Sequence, residues 1–241
     1  AAEMHTTIYY ICESTVNPQV IWVGTDDGNI QLTRDGGKKW TNTSGNIKGL
    51  PKDAWVSSVE SGHFAEGTAY VTIDMHRSGD MKPYAYRTTD FGKTWEPLIT
   101  PESPVRGYAH VIKEDLVSRD LLFAGTEFGL WISIDGGRQW AEYKGGNFPA
   151  VAVHDLVVHP REHDLVIATH GRGIWIIDDI TPLRGLSPEV LSSEAAFVAA
   201  RPTVQEIGAF GGWAEGDNVF NGPNPPDDAQ VTYYQKKRHI F

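Results

Sequence analysis

One segment of the sequence gathers side chains that could bind a ligand or transfer protons. It contains Asp74, His76, Arg77 and Asp80, which supply two carboxylates, an imidazole and a guanidinium. Such a set could hold a sugar or a cation, or act in acid–base chemistry. A purely structural role is also open, because Arg77 could pair with Asp74 or Asp80 and only hold the segment together. We predict these four residues as candidates for ligand binding.

A second group of candidates is a run of histidines: His154, His159, His163 and His170. Their spacing fits no common zinc pattern. Side chains alternate along a strand, which would send several of these rings to different faces. We therefore predict turn or core histidines, with no metal site and no cofactor. His170 and Arg172 lie between two predicted strands, and we predict that they contact a ligand in a central channel.

The elements that must position these residues are marked by a phrase that occurs three times. The pattern Ser/Thr-x-Asp-x-Gly-x-x-Trp occupies 33–40, 88–95 and 133–140. Its copies begin roughly 50 residues apart, a period that suits one four-stranded propeller blade per repeat. Asp and Gly form a tight turn between strands, and a Trp ring can pack between neighbouring sheets. We predict structural rather than catalytic roles for the box residues: Thr33, Asp35, Gly37, Trp40, Thr88, Asp90, Gly92, Trp95, Ser133, Asp135, Gly137 and Trp140.

The predicted fold is all-β, with four consecutive four-stranded antiparallel blades and an irregular C-terminal extension. We place the propeller portion at 1–186, with blades at about 6–48, 54–100, 106–146 and 150–184. The fourth copy has lost its box, since 177–182 has no Gly or Trp at the expected positions. Residues 187–241 are predicted as a linker rich in Gly, Asn and Pro, with a short helix opened by Ser187-Pro188-Glu189.

Composition limits the classes of partner. The 241 residues carry a formal net charge of -10 without a long acidic run, and a basic stripe suited to nucleic acid is missing. No stretch of sequence approaches the roughly 20 apolar residues that a membrane-spanning helix needs. Cys12 is the single cysteine, so the chain cannot form an internal disulfide. We predict no nucleic-acid partner and no membrane span.

The boxes resemble the Asp-box, or BNR repeat, of sialidases, sortilin-type Vps10 propellers and xyloglucanase-like glycoside hydrolases. The wider sequence, including 24–28, 80–84, 125–127 and 164–179, resembles large bacterial proteins described as sortilin-like or BNR-repeat glycosyl hydrolases. This resemblance implies a C-terminal portion of a larger propeller, followed by a β-sandwich. It also implies an extracellular or periplasmic location, and partners that are the remaining blades or another protein chain.

Two functions remain open from the sequence. The first is a binding or scaffold module that presents propeller loops to a protein or a glycan. The alternative is part of a xyloglucanase-like glycoside hydrolase, which would need two carboxylates about 5 to 10 Å apart. Sialidase activity is disfavoured, because the arginine cluster and Tyr-Glu pair of that family cannot be matched in this sequence.

Overall fold

The structure is a computed structural model, and it describes residues 5–51, 53–203 and 228–237. Most strands in these residues belong to four consecutive antiparallel sheets. The first sheet contains β1 (Ile8–Glu13), β2 (Ile21–Thr25), β3 (Ile30–Thr33) and β4 (Trp40–Asn42). The second contains β5 (Trp55–Ser61), β6 (Ala69–Asp74), β7 (Tyr84–Thr88) and β8 (Glu96–Ile99). The third contains β9 (Ala109–Glu114), β10 (Leu122–Thr126), β11 (Gly129–Ser133) and β12 (Ala141–Glu142). The fourth contains β13 (Val153–Val158), β14 (Leu165–Thr169) and β15 (Ile174–Ile177).

In every sheet the strands pair in chain order, as short turns between apolar runs dictate. The predicted all-β propeller class is confirmed. The fourth sheet differs from the four-stranded expectation, because it has three strands among the described residues. The lost box accounts for this difference: after β15 the chain turns at Asp179 into a short helix, and no Gly-containing hairpin returns it to the sheet.

The C-terminal elements are short. Helix α1 (Thr181–Arg184) follows the fourth sheet, and α2 (Pro188–Ser192) begins at the predicted Ser187, whose Oγ accepts a hydrogen bond from the Val190 amide at 3.3 Å. Strand β16 (Ala195–Phe197) pairs with β17 (Tyr233–Gln235). The Gly- and Pro-rich segments at 208–213 and 221–226 lie outside the described residues. No helix in the described part of the chain is long and apolar enough to span a bilayer.

The apolar core lies between adjacent sheets rather than within one of them. Trp22 of the first sheet packs with Val56 and Ile73 of the second. Phe123 of the third sheet packs with Leu156 of the fourth, and all five of these side chains are fully buried. Burying a side chain of this size stabilises the fold by about 2 to 3 kcal/mol. The blades are therefore held together mainly by the hydrophobic effect.

The outer faces of the first and last sheets are apolar and exposed. Ile11 is 63% exposed, whereas Ile112, at the corresponding position of the third sheet, is fully buried. In the fourth sheet Val157 and Ile176 are each 55% exposed, and both pair with Val166 between them. Among the described residues, no further sheet covers these two flanks.

The three boxes make the same hydrogen bonds. In the first, the Thr33 hydroxyl donates to Asp35 Oδ1 at 2.8 Å and accepts from the Gly37 amide at 2.9 Å, while Asp35 also accepts from the Lys39 amide. The second and third boxes repeat this scheme through Thr88 with Asp90 and Ser133 with Asp135.

The contacts and burial of each box tryptophan depend on the sheet that precedes its own. Trp95 of the second sheet contacts Trp22 of the first, and Trp140 of the third donates to the Leu98 carbonyl of the second. Trp40 belongs to the first sheet and is 42% exposed, because no sheet precedes it in the described residues.

Candidate functional site

Each of the four consecutive sheets has a β-bulge near the start of its first strand. The bulge lies opposite the equivalent residues of the second strand in all four. In the third sheet Ala109 pairs with Thr126 and Val111 with Gly125, so His110 has no pairing partner. A bulge inserts one residue and redirects its side chain. The four bulged residues all line one cavity: Tyr9, Ser57, His110 and His154.

The second strand of each sheet adds another residue to this cavity. Asp74 is the last residue of β6, and Glu127 and His170 directly follow β10 and β14. All three residues occupy the same register position, and all three line the cavity, whose volume is about 490 Å³. Most of the polar groups of the cavity therefore come from two positions that recur from sheet to sheet. One is the bulge of the first strand, and the other is the end of the second strand.

An unbroken series of ring contacts crosses the cavity from the first sheet to the fourth. The Tyr9 ring meets Trp55 edge-on, with centroids 4.6 Å apart, and His76 stacks on Tyr108 at 4.6 Å. The series runs through Tyr9, Trp55, His76, Tyr108, His110, His154 and His170. The cavity thus offers flat apolar surfaces with polar edges, which suit amide groups and sugar rings alike.

Asp74 and His76 form a pair on one side of the cavity. The Asp74 carboxylate is 3% exposed and lies 2.7 Å from His76 Nδ1, and it also accepts a hydrogen bond from the His76 amide at 2.9 Å. The Arg77 guanidinium lies over the Trp55 ring, 4.0 Å from its centroid, which is a cation–π contact. The alternative of an Arg77 ion pair with Asp74 or Asp80 is wrong, since this packing takes its place.

Glu127 lies opposite, between Tyr108 and two histidines. Its Oε2 is 3.1 Å from His110 Nε2. Burial, together with the nearby Glu127 carboxylate, raises the pKa of Tyr108 to about 12, so the phenol stays protonated. Burial lowers the pKa of His154, and the neighbouring His110 and His170 lower it further. His154 is therefore neutral at pH 7 and can donate or accept a hydrogen bond.

Tyr10 connects the cavity to a buried ion pair. Lys113 Nζ lies 2.6 Å from Glu60 Oε2 and donates to the Tyr10 hydroxyl at 3.2 Å. Burial alone would lower the pKa of Lys113, but the Glu60 carboxylate, together with the hydrogen bond to Tyr10, outweighs it and raises that pKa. The lysine charge is thus neutralised internally, and the outward-facing Asp155 carboxylate remains in the cavity wall.

The structure separates the predicted candidates into two sets. Asp74, His76 and His170 line the cavity, and Arg77 borders it through Trp55. Asp80 instead accepts hydrogen bonds from the Tyr84 hydroxyl and the Lys82 amide. Arg172 is exposed and does not line the cavity, and its carbonyl accepts from the Trp175 indole.

The predicted turn histidines also divide. His159 Nδ1 accepts a hydrogen bond from the Glu162 amide, and His163 occupies a turn with φ of 60°. His154 and His170 instead face the cavity. Simple alternation failed for His154, because His154 is itself the bulged residue and a bulge redirects its side chain.

Sequence reasoning missed several residues that line the cavity, namely Trp55, Tyr108, His110 and Glu127. One signal was present: Glu127 and His170 each follow a Gly-Thr or Ala-Thr pair at equivalent points of the repeat. His110 had no such signal, since a bulge leaves no mark in the pattern of apolar residues.

The boxes lie at the other end of the sheets. In the first sheet Thr33 pairs with Ile21 at the start of β2, whereas the cavity lies at the end of β2, near Thr25. The box carboxylates are therefore separated from the cavity by the length of a strand.

Comparison with known proteins gives the following relationships. The BNR/Asp-box repeat family matches residues 86–97, which contain the second box. A search of curated proteins found no match. Among solved structures, the chain is similar to YCF48 bound to D1 peptide, with a TM-score of 0.52 and 19% identity over 73% of this chain and 52% of that chain.

Two glycoside hydrolases of family GH74 are also similar. The xyloglucanase from Xanthomonas campestris has a TM-score of 0.54 and 12% identity over 73% of this chain and 30% of its own. The enzyme from Niastella koreensis has a TM-score of 0.52 and 16% identity over 74% and 24%. The chain spans about half the length of YCF48 and less than a third of either hydrolase. At these identities the likeness shows the propeller fold alone.

Proposed function

We propose that this chain is a binding module of a propeller protein and that its cavity holds an extended peptide segment of a protein partner. The main support for this proposal is the continuous series of ring contacts from Tyr9 to His170, in which no carboxylate lies between the rings. Rings of this kind contact peptide groups and apolar side chains at a low entropic cost. The similarity to YCF48 bound to D1 peptide, a peptide complex on the same fold, supports a peptide as the ligand class.

The charges at the cavity favour a peptide without acidic residues. Asp155 is exposed in the wall, and Asp74 and Glu127 are each held by a histidine. The neutral His154 offers no cation to an acidic ligand. We therefore expect selected peptides to be neutral or basic and to carry apolar or aromatic side chains.

The test is selection of phage-displayed random peptides on the chain, followed by affinity measurement. Tyr9→Ala and Tyr108→Ala should each weaken the selected peptides about tenfold, which corresponds to about 1.4 kcal/mol. Tyr233→Ala removes an exposed ring that does not line the cavity and should leave affinity unchanged. Equal binding to all three variants would place the peptide site elsewhere.

A glycoside hydrolase is the second candidate. Asp74, Glu127 and Asp155 line one cavity with aromatic walls, and such an enzyme needs a pair of carboxylates. Release of reducing sugar from xyloglucan and other β-glucans, abolished by Glu127→Gln, would support it. Activity that survives Asp74→Asn and Glu127→Gln together would exclude this cavity as the catalytic site.

We also propose that further propeller blades cover the two exposed flanks. Ile11 corresponds to the buried Ile112 of the third sheet, and Ile176 corresponds to Ile132, which packs against the core between the third and fourth sheets. Trp40 lacks the contact that Trp95 and Trp140 have. The chain alone should therefore self-associate or open at its ends. A stable monomer in ultracentrifugation, with protected amides in both the first and the last sheet, would contradict this.

The extracellular or periplasmic location remains part of the proposal, since it depends on the family resemblance. Fractionation of the source cells with an antibody against this chain tests it, and recovery with cytoplasmic markers would refute it.

A further inference from the structure

A cluster of potential metal ligands lies where the third and fourth sheets meet. His110, Glu127 and His154 each point a nitrogen or carboxylate oxygen into the cavity, and these atoms all lie within 4.8 Å of one another. His110 and His154 come from the bulges of adjacent sheets, and Glu127 follows the second strand of the third sheet. We propose that these three residues bind a divalent transition-metal ion of the zinc class.

The ligand types select the ion. Two imidazoles and one carboxylate suit Zn²⁺ and its first-row neighbours, whereas Mg²⁺ and Ca²⁺ prefer sites made of oxygen alone. Ions of this class sit about 2.0 to 2.2 Å from nitrogen and oxygen ligands. The candidate ligand atoms already lie within 4.8 Å of one another, and the two stacked imidazole rings would turn toward a common point when the ion binds. Asp74 does not compete for the ion, because His76 and its own turn already occupy that carboxylate.

The three proposed ligands contact one another and Tyr108. The His110 ring is packed between Tyr108 on one side and His154 on the other, with centroids at 5.0 and 4.1 Å. Glu127 lies beside the Tyr108 hydroxyl and 3.1 Å from His110. Tyr108 is not a ligand itself, and a polar neighbour of this kind beside a ligating carboxylate is a regular feature of metal sites.

The site is open on one side. His154 is exposed and Glu127 is partly exposed, so an ion held by three protein groups would keep a position for water or for a ligand group. The metal proposal concerns the same cavity as the peptide proposal but does not depend on it, because ion binding is measured without any peptide.

The test is titration of the untagged, chelator-treated chain with Zn²⁺ by calorimetry, and with Co²⁺ by visible absorption. We expect one ion per chain, and we expect Glu127→Gln and His154→Ala each to weaken binding at least about tenfold. His5→Ala, which removes an exposed histidine outside the cavity, should bind as the unmodified chain does.

Two outcomes would overturn the proposal. One is failure of the unmodified chain to bind either ion. The other is equal binding by the variants and the unmodified chain, which would show binding at other surface groups. Circular dichroism and thermal unfolding check that each variant is folded, and Glu127→Gln keeps the shape of the side chain if His154→Ala does not fold.

Discussion

The imidazoles of His110 and His154 stack across the boundary between two sheets, with centroids 4.1 Å apart and planes 23° from parallel. The two residues occupy equivalent bulge positions in adjacent sheets, so a repeated backbone irregularity creates the contact. A propeller repeats its strands around an axis, and a side chain redirected in every blade converges with its counterparts. The cavity thus results from a structural repeat that differs from the box repeat of the sequence.

The first prediction concerns the contribution of a box hydroxyl, that of Ser133, to stability. Its side chain is 1% exposed, and its Oγ accepts from the buried Gly137 amide while donating to Asp135. Ser133→Ala leaves that amide without a partner, so the free energy of unfolding should fall by about 1 to 2 kcal/mol. Urea unfolding measures this. Ser78→Ala, at an exposed site without a side-chain hydrogen bond among the described residues, is the control and should change it by less than about 0.5 kcal/mol.

A second prediction concerns the connection from α1 to the third sheet. Arg184 makes two hydrogen bonds to Asp115, at 2.9 and 2.8 Å, and both side chains are buried. Arg184→Ala leaves a buried carboxylate without its counter-charge, and we expect a loss of about 3 kcal/mol in unfolding free energy.

The matched control for this pair is Arg161→Ala. That arginine is 82% exposed and pairs with Glu162 on the surface, where such pairs contribute less than about 1 kcal/mol. Equal destabilisation by the two variants would mean that burial does not distinguish these ion pairs.

The sheets and turns could be predicted from the sequence more completely than the residues that line the cavity. Apolar runs and the boxes mark strands and hairpins locally, so the propeller class follows from residues close together in the chain. Asp74 and His76 were predicted as site candidates because charged and ring side chains cluster in one segment of the second repeat, and His170 because it lies between two predicted strands. His110 and Tyr108 were missed, because their role depends on bulges and on packing between sheets that are distant in sequence.

The pH dependence of stability should reveal the polar cluster around His63. His63 Nε2 lies 3.1 Å from Glu60, and its backbone amide donates to Glu114. Burial opposes the charged imidazole, but the hydrogen bond and charge of Glu60, with Glu114, outweigh it and raise the pKa of His63. A raised pKa stabilises the fold fully below the unfolded value of about 6.5, and this contribution is lost as pH rises through the folded value.

The measurement is the difference in unfolding free energy between the unmodified chain and His63→Gln at several pH values. The difference should be largest below about pH 6 and should shrink as the pH rises above about 6.5. A difference that grows with pH would show that the imidazole is neutral in the fold. Burial also raises the pKa of Glu114, so this carboxyl group likewise stabilises the fold more at low pH than at high pH. Glu114 is present in both the unmodified chain and His63→Gln.

The last prediction concerns the close approach of the third and fourth sheets. A Cβ atom added at Gly125 would lie 2.6 Å from both the Val153 carbonyl oxygen and Val153 Cγ1. Because backbone cannot move aside as a flexible side chain does, Gly125→Ala should cost about 2 to 3 kcal/mol in unfolding free energy. It should also separate the bulges that carry His110 and His154, so hydrogen exchange in β13 should accelerate. Gly45→Ala, where a Cβ would meet nothing within 4 Å, is the control, and similar losses in both variants would contradict the steric explanation.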